Sequence, residues 1–116
     1  MVKVKTGIDL LVINRFVNSY KKRGKAFSER IFSPQELSQN SSEQLASIFC
    51  LKEALIKALG LPKDSWLLIS TNRKRNGKVE CSFADSRIVR NIKSIDTSIS
   101  HDGGMVVAVA TALLSK

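Results

Sequence analysis

Glu53 and Lys57 stand four residues apart in the segment SSEQLASIFCLKEALIKALG (41–60), and Asp9 lies near the end of an alternating apolar segment at the start of the chain. These residue types suit phosphate chemistry. Two carboxylates can give oxygen ligands to one hard cation, and a lysine one helical turn beyond the second can reach a phosphate that the cation also holds. Magnesium is the natural cation, because it takes one or two carboxylates and lets substrate phosphates and water fill the remaining positions. A Glu four residues before a Lys is equally an ordinary surface pair, stabilising a helix by about 0.2–0.5 kcal/mol. The spacing alone does not choose between the two readings, nor does it bring Asp9 to Glu53.

The elements that must carry these residues are legible. Ser41 with Gln44 forms a capping-box start, and Gly60 with Pro62 just beyond makes a helix stop. Between them Leu45, Ile48, Phe49, Leu55, Ile56 and Leu59 recur as a core-facing stripe. Glu53 and Lys57 fall on the other side, with the small residues Ala46, Cys50 and Gly60 near the same line, where a partner could approach closely. Val2, Val4, Ile8 and Leu10 alternate with Lys3, Lys5, Gly7 and Asp9, which predicts a strand whose apolar face is buried and whose polar face carries Asp9. Ile13, Phe16, Val17 and Tyr20 then mark a helix with Arg15 facing outward, and Ser33-Pro34 with Glu36 starts another.

Beyond Gly60, Trp66 to Ile69 and Val79 to Phe83 flank Asn76-Gly77, a hairpin signal. A short helix with Ile88, Val89 and Ile92 on its inner side leads to a strand from Ile95 to His101, a turn at Asp102-Gly103-Gly104, and the apolar run Met105 to Leu114. The order predicts an α+β fold, an antiparallel sheet packed against a long central helix. With no internal repeat or low-complexity linker, residues 1–116 read as one domain.

The net charge of +9 points to an anionic partner: nucleic acid, acidic protein or phosphorylated cofactor. The cations gather in Lys21, Lys22, Arg23 and Lys25, and in Arg73, Lys74, Arg75 and Lys78. A hydrophobic content of 43% argues against disorder. No apolar run reaches the ~20 residues of a membrane helix and no signal-peptide pattern opens the chain, so a cytoplasmic protein without a membrane is expected. Cys50 and Cys81 lack metal-ligand spacing, and with a single histidine a zinc site is disfavoured; both read as reduced, half-buried packing residues.

The segments GIDLLVINRF, IFSPQEL, FCLKEALIKALG and SISHDGGMVVAVA, in this order and from about Val4 to Ala112, resemble the holo-acyl-carrier-protein synthases, the small class of 4'-phosphopantetheinyl transferases. The resemblance implies a 4'-phosphopantetheinyl transferase-like fold and a defined reaction. The 4'-phosphopantetheine arm of coenzyme A, the donor substrate, moves to a serine of apo acyl carrier protein, releasing adenosine 3',5'-bisphosphate and serving fatty acid biosynthesis. It implies magnesium, held by Asp9 and Glu53, and a phosphate-binding role for Lys57. It also implies Arg15 as a contact to acyl carrier protein, His101 as a lining of the coenzyme A site, and a homotrimer with its sites at subunit interfaces. Glu53 or a metal-bound water are the two candidates for removing the serine proton. On residue pattern alone His101, sharing a strand face with Ile95 and Ile99, would be a core residue; the resemblance reverses that. Asp102 is a weaker candidate for the same site.

The chain departs from the family pattern at Ile48, where the family usually has arginine, at Leu61-Pro62 in place of a second glycine, and at Val79 in place of proline. A contact to coenzyme A phosphate is therefore expected to be missing or supplied elsewhere. Two rival functions are a basic nucleic-acid-binding module, suggested by charge alone, and a carrier-binding homologue without activity. The first lacks interleaved strand aromatics, zinc-finger spacing and a helix-turn-helix, and no nucleic-acid partner is expected. The second is opposed by the retained Asp9, Glu53 and Lys57.

Overall fold

Helix α3 (Ser42–Leu59) begins and ends as its sequence requires. The Ser41 backbone N–H donates to Gln44 Oε1 at 2.9 Å and Gln44 N–H donates to Ser41 Oγ at 3.2 Å, while Gly60 closes the helix in the left-handed region with φ 64°. In this computed structural model, which describes residues 1–115, α3 is the central element. It is buried on more than the predicted stripe: Ala46, Cys50, Leu51, Lys52, Ala54 and Ala58 are buried as well. The reason is that α3 packs against structure on two sides.

On one side lies an antiparallel sheet of β1 (Val2–Val12), β5 (Met105–Ser115) and β4 (Ile92–Asp102), with β5 in the middle. Val106, Ala108 and Ala110 of β5 meet Cys50, Leu51, Ala54 and Leu55 of α3 there. On the other side α1 (Ile13–Ile31), which bends at Gly24, contributes Phe16 and Ile31 to a second cluster with Phe32, Leu45, Ala46 and Ile48. Helix α2 (Pro34–Gln39) precedes α3. After it a single 3-10 turn (Trp66–Leu68) leads into the hairpin β2 (Ile69–Arg73) and β3 (Val79–Phe83), and α4 (Ser86–Val89) precedes β4. Trp66 to Leu68 therefore turn rather than extend. The Asn76-Gly77 hairpin forms as expected, with Gly77 at φ 88°. The α+β reading, with an antiparallel sheet on a long central helix, is borne out.

Strand β1 corrects the sequence reading in which face it buries. Val2, Val4, Ile8 and Leu10 are exposed, between 51% and 62%, whereas Gly7 is buried and Asp9 is half-buried against α3. The cause is closeness. A Cβ on Gly7 would lie 1.9 Å from the Ala54 carbonyl oxygen and 2.7 Å from the Ala58 nitrogen, so only glycine lets β1 cross α3 at this point. The small residues of α3 thus make room for this chain's own strand.

A buried ion pair ties the remaining elements together, and nothing in the spacing predicted it. Lys52 Nζ donates to Glu36 Oε1 at 2.8 Å and to the Ile31 carbonyl at 2.7 Å, with both side chains almost wholly buried. Glu36 also accepts from the Ser33 backbone N–H and from the backbone N–H and hydroxyl of Thr71. One carboxylate thereby caps α2 and joins it to α3 and β2. Burial lowers the Lys52 pKa, and the hydrogen bond and charge of Glu36 oppose that shift. Among the described residues no helix is long and apolar enough to cross a membrane.

Candidate active site

Where β1 crosses α3, backbone closeness sets the side chains. The Cys50 thiol donates to the Asp9 carbonyl at 3.3 Å, and Lys57 Nζ donates to the Ile8 carbonyl at 2.9 Å and to Asp9 Oδ1 at 3.2 Å. Cys50, Glu53 and Lys57 follow one another at helical spacing, so Asp9 lies along the face of α3 that carries Glu53. Lys57 keeps a side chain 55% exposed, while that of Asp9 is 18% exposed. The ammonium can therefore still turn toward a ligand.

Glu53 and Lys57 do not pair with each other. Glu53 Oε2 instead accepts a hydrogen bond of 2.9 Å from Trp66 Nε1, and the Trp66 ring lies against Phe49. Each carboxylate thus has one oxygen engaged by the protein, Asp9 Oδ1 and Glu53 Oε2, leaving Asp9 Oδ2 and Glu53 Oε1 for other ligands. Among the described residues no group of three or more His, Cys, Asp or Glu side chains could enclose an ion. A cation that needs only two protein carboxylates, with phosphate and water completing its shell, suits this donor set.

His101 belongs to a different part of the molecule. It is exposed, not a core residue, and its Nε2 lies 2.7 Å from the hydroxyl of buried Ser47, with which it shares a hydrogen bond. Both border a cavity of about 480 Å³ whose other walls include Gln44, Arg73, Lys78 and Val79. Asp9 is on β1 and His101 on β4, at opposite edges of the sheet with β5 between them, hence about 10 Å or more apart across the strands. Asp102 follows His101 on the strand and so falls on the opposite face, away from this cavity. Arg15 is exposed on α1, as expected.

Four residues beside these side chains, Trp66, Ser47, Arg73 and Lys78, are not singled out by the sequence as site residues. Trp66 is separated from Glu53 by the end of α3 and a loop, and Ser47 from His101 by 54 residues, so no periodicity relates them. Arg73 and Lys78 were visible only as members of a charge run. Ile48 is 1% exposed and faces the α1 cluster, so position 48 presents nothing to a ligand. Cys50 is fully buried rather than half-buried, and burial pushes its thiol up to about 12.

Residues 5–110 match the family model described as the 4'-phosphopantetheinyl transferase superfamily. The chain is 35% identical over 114 residues to the holo-[acyl-carrier-protein] synthase of Dehalococcoides mccartyi, covering 92% of this chain and 96% of that one. It is 37% identical over 109 residues to the enzyme of the same name from Helicobacter pylori, covering 89% and 92%. The crystal structure of Helicobacter pylori holo-[acyl-carrier-protein] synthase in complex with coenzyme A superposes with a TM-score of 0.81, at 34% identity, over 92% of this chain and 98% of that one.

Proposed function

Since the chain belongs to the 4'-phosphopantetheinyl transferase superfamily, we propose that it moves the 4'-phosphopantetheine arm of coenzyme A onto a serine of an apo acyl carrier protein. Adenosine 3',5'-bisphosphate is the other product, and the reaction serves fatty acid biosynthesis in the cytoplasm. The observation that carries the reading is the crossing of β1 over α3, which sets Asp9 against Lys57 on the helix face that bears Glu53.

Asp9 Oδ2 and Glu53 Oε1 would hold magnesium. When bound, the ion neutralises pyrophosphate charge and helps to align the attacking and departing oxygens. Lys57 adds a second positive charge to the phosphate from a side chain that already spans the strand and the helix. The serine oxygen forms its bond to the phosphorus that bears the pantetheine arm, the bond from that phosphorus to the adenosine bisphosphate oxygen breaks, and the serine proton passes to Glu53 or to a water at the site. His101 and Ser47, with Arg73 and Lys78 across the cavity, form the coenzyme subsite. The last two supply the cations that Ile48 does not.

Arg15 and Lys22, two turns apart on α1, with Lys21, Arg23 and Lys25 nearby, present positive charge to an acidic carrier. The net charge of +9 is thus met by coenzyme A and carrier protein, not by nucleic acid. A homotrimer with sites between subunits belongs to the same reading. It is supported by the exposed apolar face of β1, and by the placement of Asp9 and His101 at opposite sheet edges, where a neighbouring copy could join them.

The test is transfer from coenzyme A to apo carrier protein, with and without magnesium, followed by mass spectrometry. A carrier heavier by one phosphopantetheine, in a magnesium-dependent reaction, is expected. No mass change across several carriers would overturn the assignment, and turnover undiminished by Glu53→Gln would remove Glu53 from the metal site.

A further inference from the structure

Trp66 is the single tryptophan of the chain, and its indole N–H makes the one hydrogen bond found to the Glu53 side chain among the described residues. Indole Nε1–H is a donor only, so it stabilises Glu53 as an acceptor and cannot give way to another role. A hydrogen bond to an ionised carboxylate is also among the stronger and better directed kinds.

The ring that presents this donor is itself held. Trp66 lies 5.7 Å from Phe49, and Phe49 lies 5.2 Å from Phe16 of α1, centroid to centroid. Phe16 in turn packs on Tyr20, Phe27 and Phe32. The Glu53 carboxylate is therefore oriented from outside its own helix. Lys57, the neighbour that ordinary helix pairing would offer it, is engaged by Asp9 and the Ile8 carbonyl.

We propose that Trp66 is a positioning residue for the transfer reaction: it fixes Glu53 Oε2, which commits Oε1 to the cation and keeps the carboxylate from swinging back to Lys57. The inference rests on the reading of Asp9 and Glu53 as the metal ligands. Because Trp66 begins the 3-10 turn that follows 61–65, it also ties that loop, where the chain departs from its family, to the reacting centre.

Trp66→Phe removes the donor and keeps the ring in its stack. With manganese as the probe and coenzyme A present, electron paramagnetic resonance should show cation affinity falling about tenfold or more, as expected for the loss of one charge-assisted hydrogen bond. The melting temperature should fall only by the several degrees that loss of one hydrogen bond gives, with no further loss from the aromatic stack, which separates positioning from packing. In the wild-type protein the one indole N–H resonance should shift on titration with magnesium, and it should move in Glu53→Gln without any metal. Wild-type manganese affinity in Trp66→Phe, while Glu53→Gln has lost it, overturns the role of Trp66 and leaves the metal site standing. Wild-type manganese affinity in Glu53→Gln overturns the metal site and this inference with it.

Discussion

Lys57 reaches across from α3 to β1 and places its ammonium 3.2 Å from Asp9 Oδ1, while Glu53, four residues earlier on the same helix, is turned to Trp66. The ion pair is half exposed, and such pairs contribute at most about 1 kcal/mol to stability. If Lys57 holds a phosphate as proposed, its value to the reaction is much larger, since loss of one group that stabilises transition-state charge costs about 100-fold to 1,000-fold in rate. Lys57→Met should therefore unfold in urea within about 1 kcal/mol of wild type and lose at least about 100-fold in kcat. The opposite split, a large stability loss with turnover unchanged, would make the pair structural.

Gly7 offers a test of how the two carboxylate-bearing elements are brought together. An added methyl would have to occupy space 1.9 Å from the Ala54 carbonyl oxygen, and that neighbour is helix backbone. Gly7→Ala should cost about 3 kcal/mol or more in urea unfolding, the upper range for overpacking, and should lower transfer by displacing Asp9. Gly77→Ala is the comparison: open space surrounds it, and the cost should be only the ~1–2 kcal/mol of placing a side chain at φ 88°. Equal costs for the two variants would remove the close crossing as the reason for glycine at position 7.

The same glycine shows how far the sequence was readable. The Ser41–Gln44 capping box, the Ser33 cap, the Gly60 stop and the Asn76-Gly77 turn follow from local backbone chemistry, and each formed as read. The face of β1 did not. Alternation shows that a strand has two unlike faces, but an apolar face can be covered by a helix or left for another chain, and that choice depends on how near α3 can come. Lys52 beside Glu53 illustrates the other gap. Two consecutive charges in KEA look alike, yet one is buried on Glu36 and the other is turned to Trp66, because the helix turns about 100° between them. The contacts Trp66–Glu53 and Ser47–His101 arise only once the chain has folded.

The thiols give a pH dependence of defined sign. Burial is the largest cause raising Cys50 from 9.0 to about 12 and Cys81 from 9.0 to about 11. In the unfolded chain both lose their proton near pH 9, whereas in the folded chain they keep it, so the unfolded state binds fewer protons above that pH. Stability is then unaffected by these groups below pH 9 and falls from pH 9 upward, by up to about 1.4 kcal/mol per pH unit for each thiol. Urea unfolding of Cys50→Ala between pH 8 and 10.5 should show a shallower decline than wild type. Parallel slopes would mean that Cys50 is not held as the protonated thiol.

The outer face of β1 bears on how the site is completed. Val4, Ile8 and Leu10 are 62%, 57% and 61% exposed, and Met105 of β5 stands beside Val12 at the same end. In the proposed homotrimer a second copy would cover this apolar face. Ile8→Lys with Leu10→Lys should change the stability of a single chain little, because neither side chain is buried in it. Sedimentation equilibrium should give a trimer for wild type and a monomer for the double variant. If Asp9 of one copy and His101 of its neighbour serve the same coenzyme, mixing inactive Asp9→Asn and His101→Ala proteins under conditions of subunit exchange should restore part of the transfer activity. A mixture no more active than its components would place every site within a single chain, and the apolar face would then act in assembly alone.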